Sequence, residues 1–129
     1  MLGSVAAVCA GASLGALARW FLSARFNPAS PALPLGTLAA NLIGGYLVGV
    51  AVAVFTTHPQ LPPQVRLFVV TGLLGGLTTF STFSAEVVTA LQQGRMEWAM
   101  GIAAAHLLGS LLLTALGIAS AGWVQRARA

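Results

Sequence analysis

The chain has 129 residues, of which 57% are hydrophobic and only 6% are charged, and its formal net charge is +4. An ordinary soluble domain is about 25% charged, so this composition indicates a membrane protein and leaves little chain for a separate soluble catalytic domain. The arginines are scattered singly, which excludes the clustered basic surface of a nucleic-acid-binding protein, and a single cysteine excludes an intrachain disulfide.

The first two apolar segments predict membrane-spanning helices. The first covers about 2–24 and contains Cys9, which we expect to be buried; no positive charge precedes the segment, so we expect it to be retained rather than cleaved as a signal peptide. A proline-rich loop separates it from the second, about 35–56. There Thr37 and Asn41 lie at i and i+4, with Gly44 at i+7, so one helix face carries a polar stripe.

The third apolar segment, about 65–92, is too long for one straight crossing at 1.5 Å per residue. Its centre, GLLGGLTT at 72–79, combines poor helix formers with hydroxyl side chains that can bond freed backbone groups. Two interpretations are open here: a helix broken in the middle of the membrane, which exposes backbone groups of the kind that form ion sites, or a glycine kink. The polar stripe predicted along this segment consists of Thr79, Thr82 and Glu86.

The fourth apolar segment covers about 98–124, and Arg126 and Arg128 follow it at a water interface. We therefore predict an all-α membrane protein with four transmembrane helices in a single domain over residues 1–129. The fourth span also carries a polar stripe, made of His106, Ser110 and Thr114.

Three polar stripes favour a lined path, because polar side chains inside hydrocarbon are costly and usually face the bundle interior or a water-filled route. Each residue also has a structural alternative: Ser110 and Thr114 can join helices, His106 can be a satisfied structural residue, and Phe80 and Phe83, at i and i+3, can simply pack. Most of the polar groups are hydrogen-bond donors and Glu86 is the one acid in the stripes, so the inventory favours an anion as the permeant ion.

The arginines give little orienting bias, although cytoplasmic loops usually carry an excess of positive charge. One side of the predicted topology would hold Arg66, Arg126 and Arg128, and the other Arg25 and Arg95, with Arg19 close to it. Such a chain can insert both ways, and two copies can then pair as an antiparallel, dual-topology homodimer.

Small residues four apart also predict close helix packing. These pairs are Gly11 and Gly15, Gly45 and Gly49, and Gly72 and Gly76.

Three motifs resemble those of the CrcB, or Fluc, fluoride channels of bacteria, and the resemblance covers nearly the whole chain. The first is GASLGALARW at 11–20 and the second is GTLAANLIGGYLVG at 36–49. The third, GLLGGLTTFSTFSAE at 72–86, is the most specific, because a helix break followed by two threonines and two phenylalanines three apart is rare elsewhere.

The resemblance implies an antiparallel homodimer with two fluoride pores and a central, structural sodium ion. By family analogy the fluoride pathway consists of Asn41, Phe80, Ser81, Thr82, Phe83 and Ser110, with ring edges and hydroxyls facing the ion. Backbone carbonyls of Gly75 and Thr78, from both subunits, would hold the sodium. The residues assigned to vestibule or structural duties are Arg19, Thr37, Glu86 and His106.

The implied activity is passive export of fluoride across the bacterial inner membrane, which gives fluoride resistance without enzymatic chemistry. A small dual-topology multidrug exporter is an alternative of another class, but it would be expected to carry a carboxylate in its first span, and this span has none. A noncatalytic membrane assembly subunit is a third interpretation, which leaves the polar stripes unexplained.

Overall fold

A computed structural model of the chain describes residues 1–127, and the fold is entirely helical over that range. Arg128, predicted to close the fourth span beside Arg126, lies outside the described residues. The helices are α1 (Leu2–Phe26), α2 (Leu35–Thr57), α3 (residues 63–77), α4 (Phe80–Gln92) and α5 (Met96–Arg126). Within residues 1–127, four helical stretches, with α3 and α4 counted together, are long and apolar enough to cross a membrane, which confirms the prediction of an all-α membrane protein.

The third stretch changes its winding twice. It begins as an α-helix at Pro63–Arg66, is π-helical over Leu67–Leu74, and returns to α-helix for Gly75–Leu77. Thr78 and Thr79 then have extended backbone, with φ of −83° and −150° and ψ of 153° and 117°, before α4 begins. We refer to these two residues as the interruption.

Glycines bring several helices into backbone contact, and two helix pairs illustrate this. Between α1 and α3, a Cβ added to Gly72 would lie 2.9 Å from the Cα of Gly11. Between α2 and α5, a Cβ added to Gly117 would lie 3.1 Å from the Cα of Gly49. Real Cβ atoms do not tolerate such distances to backbone without movement, so the prediction of close packing through Gly11, Gly49 and Gly72 is confirmed.

The surface of the chain is apolar and its buried core is small, as expected where lipid replaces water as the solvent. Large hydrophobic residues such as Leu108, Leu111 and Trp123 are exposed, whereas the buried polar residues are Thr37, Asn41 and His106. The expectation that Cys9 is buried is wrong, because the residue is exposed in this chain.

Candidate functional site

Asn41, on α2, makes hydrogen bonds to both backbone groups of Thr79 in the interruption. Its Nδ2 donates to the Thr79 carbonyl oxygen at 2.9 Å, and its Oδ1 accepts from the Thr79 N–H at 2.7 Å. The pair fixes the orientation of the amide, because exchanging its oxygen and nitrogen would place donor against donor and acceptor against acceptor. Asn41 is 8% exposed, so water competes little for these bonds.

The second amide proton of Asn41 is taken by His106 on α5. Asn41 Nδ2 lies 2.9 Å from His106 Nδ1. Since the amide nitrogen can only donate, Nδ1 must be the acceptor and carry no proton, and the neutral ring then holds its proton at Nε2. Both N–H groups of the Asn41 amide are therefore engaged.

The two phenylalanines of the third motif lie beside this hydrogen bond in contrasting environments. Phe83 stacks on His106, with ring centroids 4.8 Å apart, and is buried. Phe80 meets Phe83 edge to face, with centroids 5.0 Å apart, yet is 73% exposed. Phe83 thus packs within the chain, while most of the Phe80 ring faces outward.

One open cleft adjoins these rings, and a second lies beside Glu86. One, of about 290 Å³, is lined by Asn41, Phe80, Phe83, His106 and Ser110 together with neighbouring residues. The other, of about 340 Å³, is lined by Thr82 and Glu86 of α4 and by Arg95. Most of the residues predicted for the fluoride pathway thus line one or the other of these clefts. Ser81 is exposed near the interruption and lines neither cleft.

A chain of hydrogen bonds connects the first loop to Glu86. Asn27 Nδ2 donates to the hydroxyl of Thr37 at 3.2 Å, and that hydroxyl donates to Glu86 Oε1 at 2.6 Å. The other carboxylate oxygen, Oε2, faces His106 Nε2 at 4.0 Å, and neither of these two buried atoms has a hydrogen-bond partner among the described residues. Thr37, Glu86 and His106 therefore form one polar cluster with Asn41.

Asn27 was not among the predicted site residues, although it organises the start of α2. Its Oδ1 accepts from the N–H groups of Gly36 at 2.7 Å and Thr37 at 3.1 Å. These are orphan donors of the first helical turn, so the side chain acts as a cap from outside the helix. An asparagine in a proline-rich loop before a helix is a detectable signal, but the sequence does not show which helix it caps.

Thr79 caps α4, which corrects its predicted place on a helix face with Thr82 and Glu86. Its Oγ1 accepts from the Thr82 N–H at 3.1 Å, and its backbone is extended, so it precedes the helix. The Thr79 hydroxyl also lies 2.9 Å from the hydroxyl of Thr82. The cap explains how a new helix can begin directly after the interruption.

The interruption leaves several carbonyls without their usual helical partners, among them those of Gly75 and Thr78. In a continuous helix Gly75 and Thr78 would accept from the N–H groups four residues later. Those N–H groups belong to Thr79 and Thr82, and they donate instead to Asn41 Oδ1 and Thr79 Oγ1. Residues 1–127 contain no group of three or more His, Cys, Asp or Glu that could hold a metal ion.

Arg19 of α1 reaches the end of α3. Its Nε donates to the Gly76 carbonyl oxygen at 3.0 Å, in a partly buried position. A cation near the C-terminal end of a helix is favoured by the helix dipole. Arg19 therefore stabilises the last turn before the interruption.

Thr114 and Ser110, both in the polar stripe of the fourth span, have different surroundings. Thr114 Oγ1 donates to the Gly45 carbonyl oxygen at 3.0 Å and so joins α5 to α2, which is the structural alternative for this residue. Ser110 lines the 290 Å³ cleft beside His106.

Comparison with known proteins gives a family match over most of the chain. Residues 6–118 match the family described as CrcB-like protein, Camphor Resistance (CrcB). The fluoride-specific ion channel FluC of Tolumonas auensis is 59% identical over 126 residues, covering 98% of this chain and 99% of the relative. The protein of that name from Burkholderia lata is 60% identical over 127 residues, covering 98% and 96%. The protein of that name from Burkholderia cenocepacia is 58% identical over 127 residues, covering 98% of this chain and 96% of the relative.

Proposed function

The chain belongs to the CrcB family, and on that premise we propose that it is a fluoride-specific ion channel through which fluoride leaves the bacterial cell passively. The observation that carries this function is the identity of about 60% to fluoride-specific channels along nearly the full length of both chains. The protein is a channel and not an enzyme. The multidrug exporter alternative finds no support among these relatives.

The proposed pathway passes the ring edges of Phe80 and Phe83 and the polar groups of Asn41 and Ser110. An anion that sheds its water in a membrane needs replacement donors, and aromatic ring edges carry partial positive charge. None of these groups has a fixed positive charge that would hold the ion, and conduction requires binding weak enough for release. Ser81 and Thr82 would continue the polar track beyond the rings.

The second cleft would serve as the vestibule to this track. Glu86 lines it, and Thr37 holds the Glu86 carboxylate by a hydrogen bond of 2.6 Å. Arg19 would have the structural role of stabilising the end of α3, through its bond to the Gly76 carbonyl. These assignments keep the charged residues beside the route and outside its narrow part.

We propose further that two chains pair as an antiparallel, dual-topology homodimer with two pores. Support comes from Phe80, because a ring proposed to line a pore is 73% exposed in the isolated chain and needs a second wall. The near-equal division of arginines between the two sides agrees with insertion in both orientations.

A structural sodium ion at the centre of the dimer is the proposed cofactor. The carbonyls of Gly75 and Thr78 fit this assignment, since the N–H groups that would satisfy them in a continuous helix are bonded elsewhere. The interruption would then lie at membrane depth, and two copies related by a twofold axis would contribute four oxygens. When bound, the ion would supply positive charge that joins the two interruptions.

The proposed setting is the bacterial inner membrane. Hydrogen fluoride enters a cell as an uncharged weak acid and dissociates in the more alkaline cytoplasm, so the anion is trapped inside. A passive channel lets it leave down its electrochemical gradient and so confers resistance to fluoride.

Liposomes that contain the purified protein, loaded with both fluoride and chloride, test the function. We expect fluoride to leave rapidly with no imposed proton gradient while chloride is retained. Equal efflux of both ions, or fluoride movement only under a proton gradient, would contradict the channel.

Dual topology is tested separately by cysteine labelling. Ala29→Cys in a Cys9→Ser background places a single thiol at an exposed position in the first loop. An impermeant maleimide should label part of the protein from each side of the membrane. Labelling from one side only would rule out the antiparallel dimer.

A further inference from the structure

His106 touches the amide that we propose meets the ion. One Asn41 N–H is used by the Thr79 carbonyl oxygen and the other by His106 Nδ1, each at 2.9 Å. A fluoride ion beside Asn41 therefore finds no free amide proton until one of these two bonds opens.

The bond to His106 is the one that can open at lower cost. The bond to Thr79 belongs to a reciprocal pair with the Thr79 N–H, so losing it would disturb the backbone of the interruption. The hydrogen bond to His106 joins two side chains and is not part of a reciprocal pair. Asn41 and His106 also both line the 290 Å³ cleft, so a small anion in that cleft would lie beside their hydrogen bond.

We propose that His106 Nδ1 is a resident acceptor that fluoride displaces from Asn41. The inference rests on the proposed function and gives His106 the part of a positioning residue. Because fluoride replaces an existing hydrogen bond instead of adding a new one, the net gain on binding is small. Weak binding of this kind lets the ion move on.

The surroundings of the ring favour such an exchange. Phe83 stacks on His106 with an interplanar angle of 16°, which keeps the ring in its plane while it moves. On the far side, Nε2 faces the unpartnered Glu86 Oε2 at 4.0 Å. A ring that releases Asn41 can approach this carboxylate oxygen, so the lost hydrogen bond is partly replaced.

Nitrogen NMR of histidine-labelled protein in lipid tests the proposal directly. The chain has two histidines, and a His58→Gln background removes the other signal. At neutral pH we expect His106 Nδ1 to be unprotonated and hydrogen-bonded, and fluoride, but not chloride, to move its resonance downfield as the bond is lost. An unchanged Nδ1 resonance at saturating fluoride, in protein that still carries fluoride current, would overturn the proposal and leave the channel function standing.

Two variants give an independent test. His106→Leu removes the acceptor and leaves an Asn41 proton free, so the fluoride concentration that half-saturates the current should fall roughly threefold to tenfold, the equivalent of about one hydrogen bond. His106→Asn can place an oxygen near the position of Nδ1 and should restore the half-saturating concentration of the parent. A His106→Leu channel that saturates like the parent would contradict the proposal. If His106→Leu does not fold, the NMR titration of the parent and the half-saturating concentration of His106→Asn test the proposal. A half-saturating concentration for His106→Asn below that of the parent would contradict it.

Discussion

The α1–α3 contact is made by backbone atoms, whereas the α4–α5 contact is made by side chains. In the first, glycine backbones touch, and a Cβ on Gly72 would lie 2.8 Å from the carbonyl oxygen of Val8. In the second, side chains meet: Phe83 of α4 stacks on His106 of α5, and a cleft of about 290 Å³ remains beside them. The chain thus packs α1 against α3 backbone to backbone, on what we call the closed side, and leaves room for polar contacts between α4 and α5, on what we call the open side.

The largest effect is expected on the closed side. Gly72→Ala places a methyl group against backbone atoms at 2.8 to 3.1 Å that can move only if a whole helix moves. We expect no monodisperse dimer on gel filtration. Gly101→Ala is the matched control, since no atom lies within 4 Å of its added Cβ. Normal assembly of both variants would show that the closed side is less tightly packed than described.

On the open side, Phe80→Ile and Phe83→Ile should reduce the fluoride current by about a hundredfold or more in folded dimers. Isoleucine keeps apolar volume but removes the electropositive ring edge, and each ~1.4 kcal/mol of added barrier is tenfold in rate. Current in planar bilayers is the measurement, after gel filtration has established folding. If the rings only pack, stability falls by a few kcal/mol while the current of the surviving dimers is normal.

Sodium replacement probes the interruption, which joins the closed side to the open one. With the carbonyls of Gly75 and Thr78 deprived of a cation, we expect fluoride current to decline slowly over prolonged dialysis against a large organic cation. Returning sodium should restore it. Activity that is indifferent to the exchange would count against a structural ion at these carbonyls.

The smallest effect is expected at Asn27, which supports the open side from the loop. Asn27→Ala removes the acceptor for the Gly36 and Thr37 N–H groups and should lower the free energy of unfolding by about 1 to 2 kcal/mol. Asn27→Asp keeps that acceptor but loses the donor to the Thr37 hydroxyl, so it should lose less stability. Thermal unfolding in detergent compares them, and equal losses would assign the effect to the donor instead of the cap.

The helix contacts of the closed side could largely be predicted from the sequence, because they depend on the residue pattern within each helix. Apolar length predicts the spans, and small residues four apart predict which faces come close, as Gly11 and Gly72 illustrate. The stripe on α2 was also readable, since Thr37 and Asn41 are both buried.

The partners on the open side could not be read, because they depend on how three helices meet. Nothing in the spacing of Asn41 shows that its amide pairs with the Thr79 backbone, or that Thr79 leaves the helix face to become a cap. The π-helical winding of Leu67–Leu74 likewise gives no signal in composition.

The cluster around Asn41 also has a consequence for biosynthesis. Asn41, Glu86 and His106 come from α2, α4 and α5, so a chain made from its N-terminus supplies the last of them only when the final helix emerges. Until then α2 crosses the bilayer with at least one Asn41 proton unmatched, and the high mean hydropathy of that span, 2.0 in its most apolar window, must offset the cost of inserting it. Completion of the network is thus timed to the end of translation, and a nascent chain truncated before His106 is expected to be recognised and degraded as unassembled.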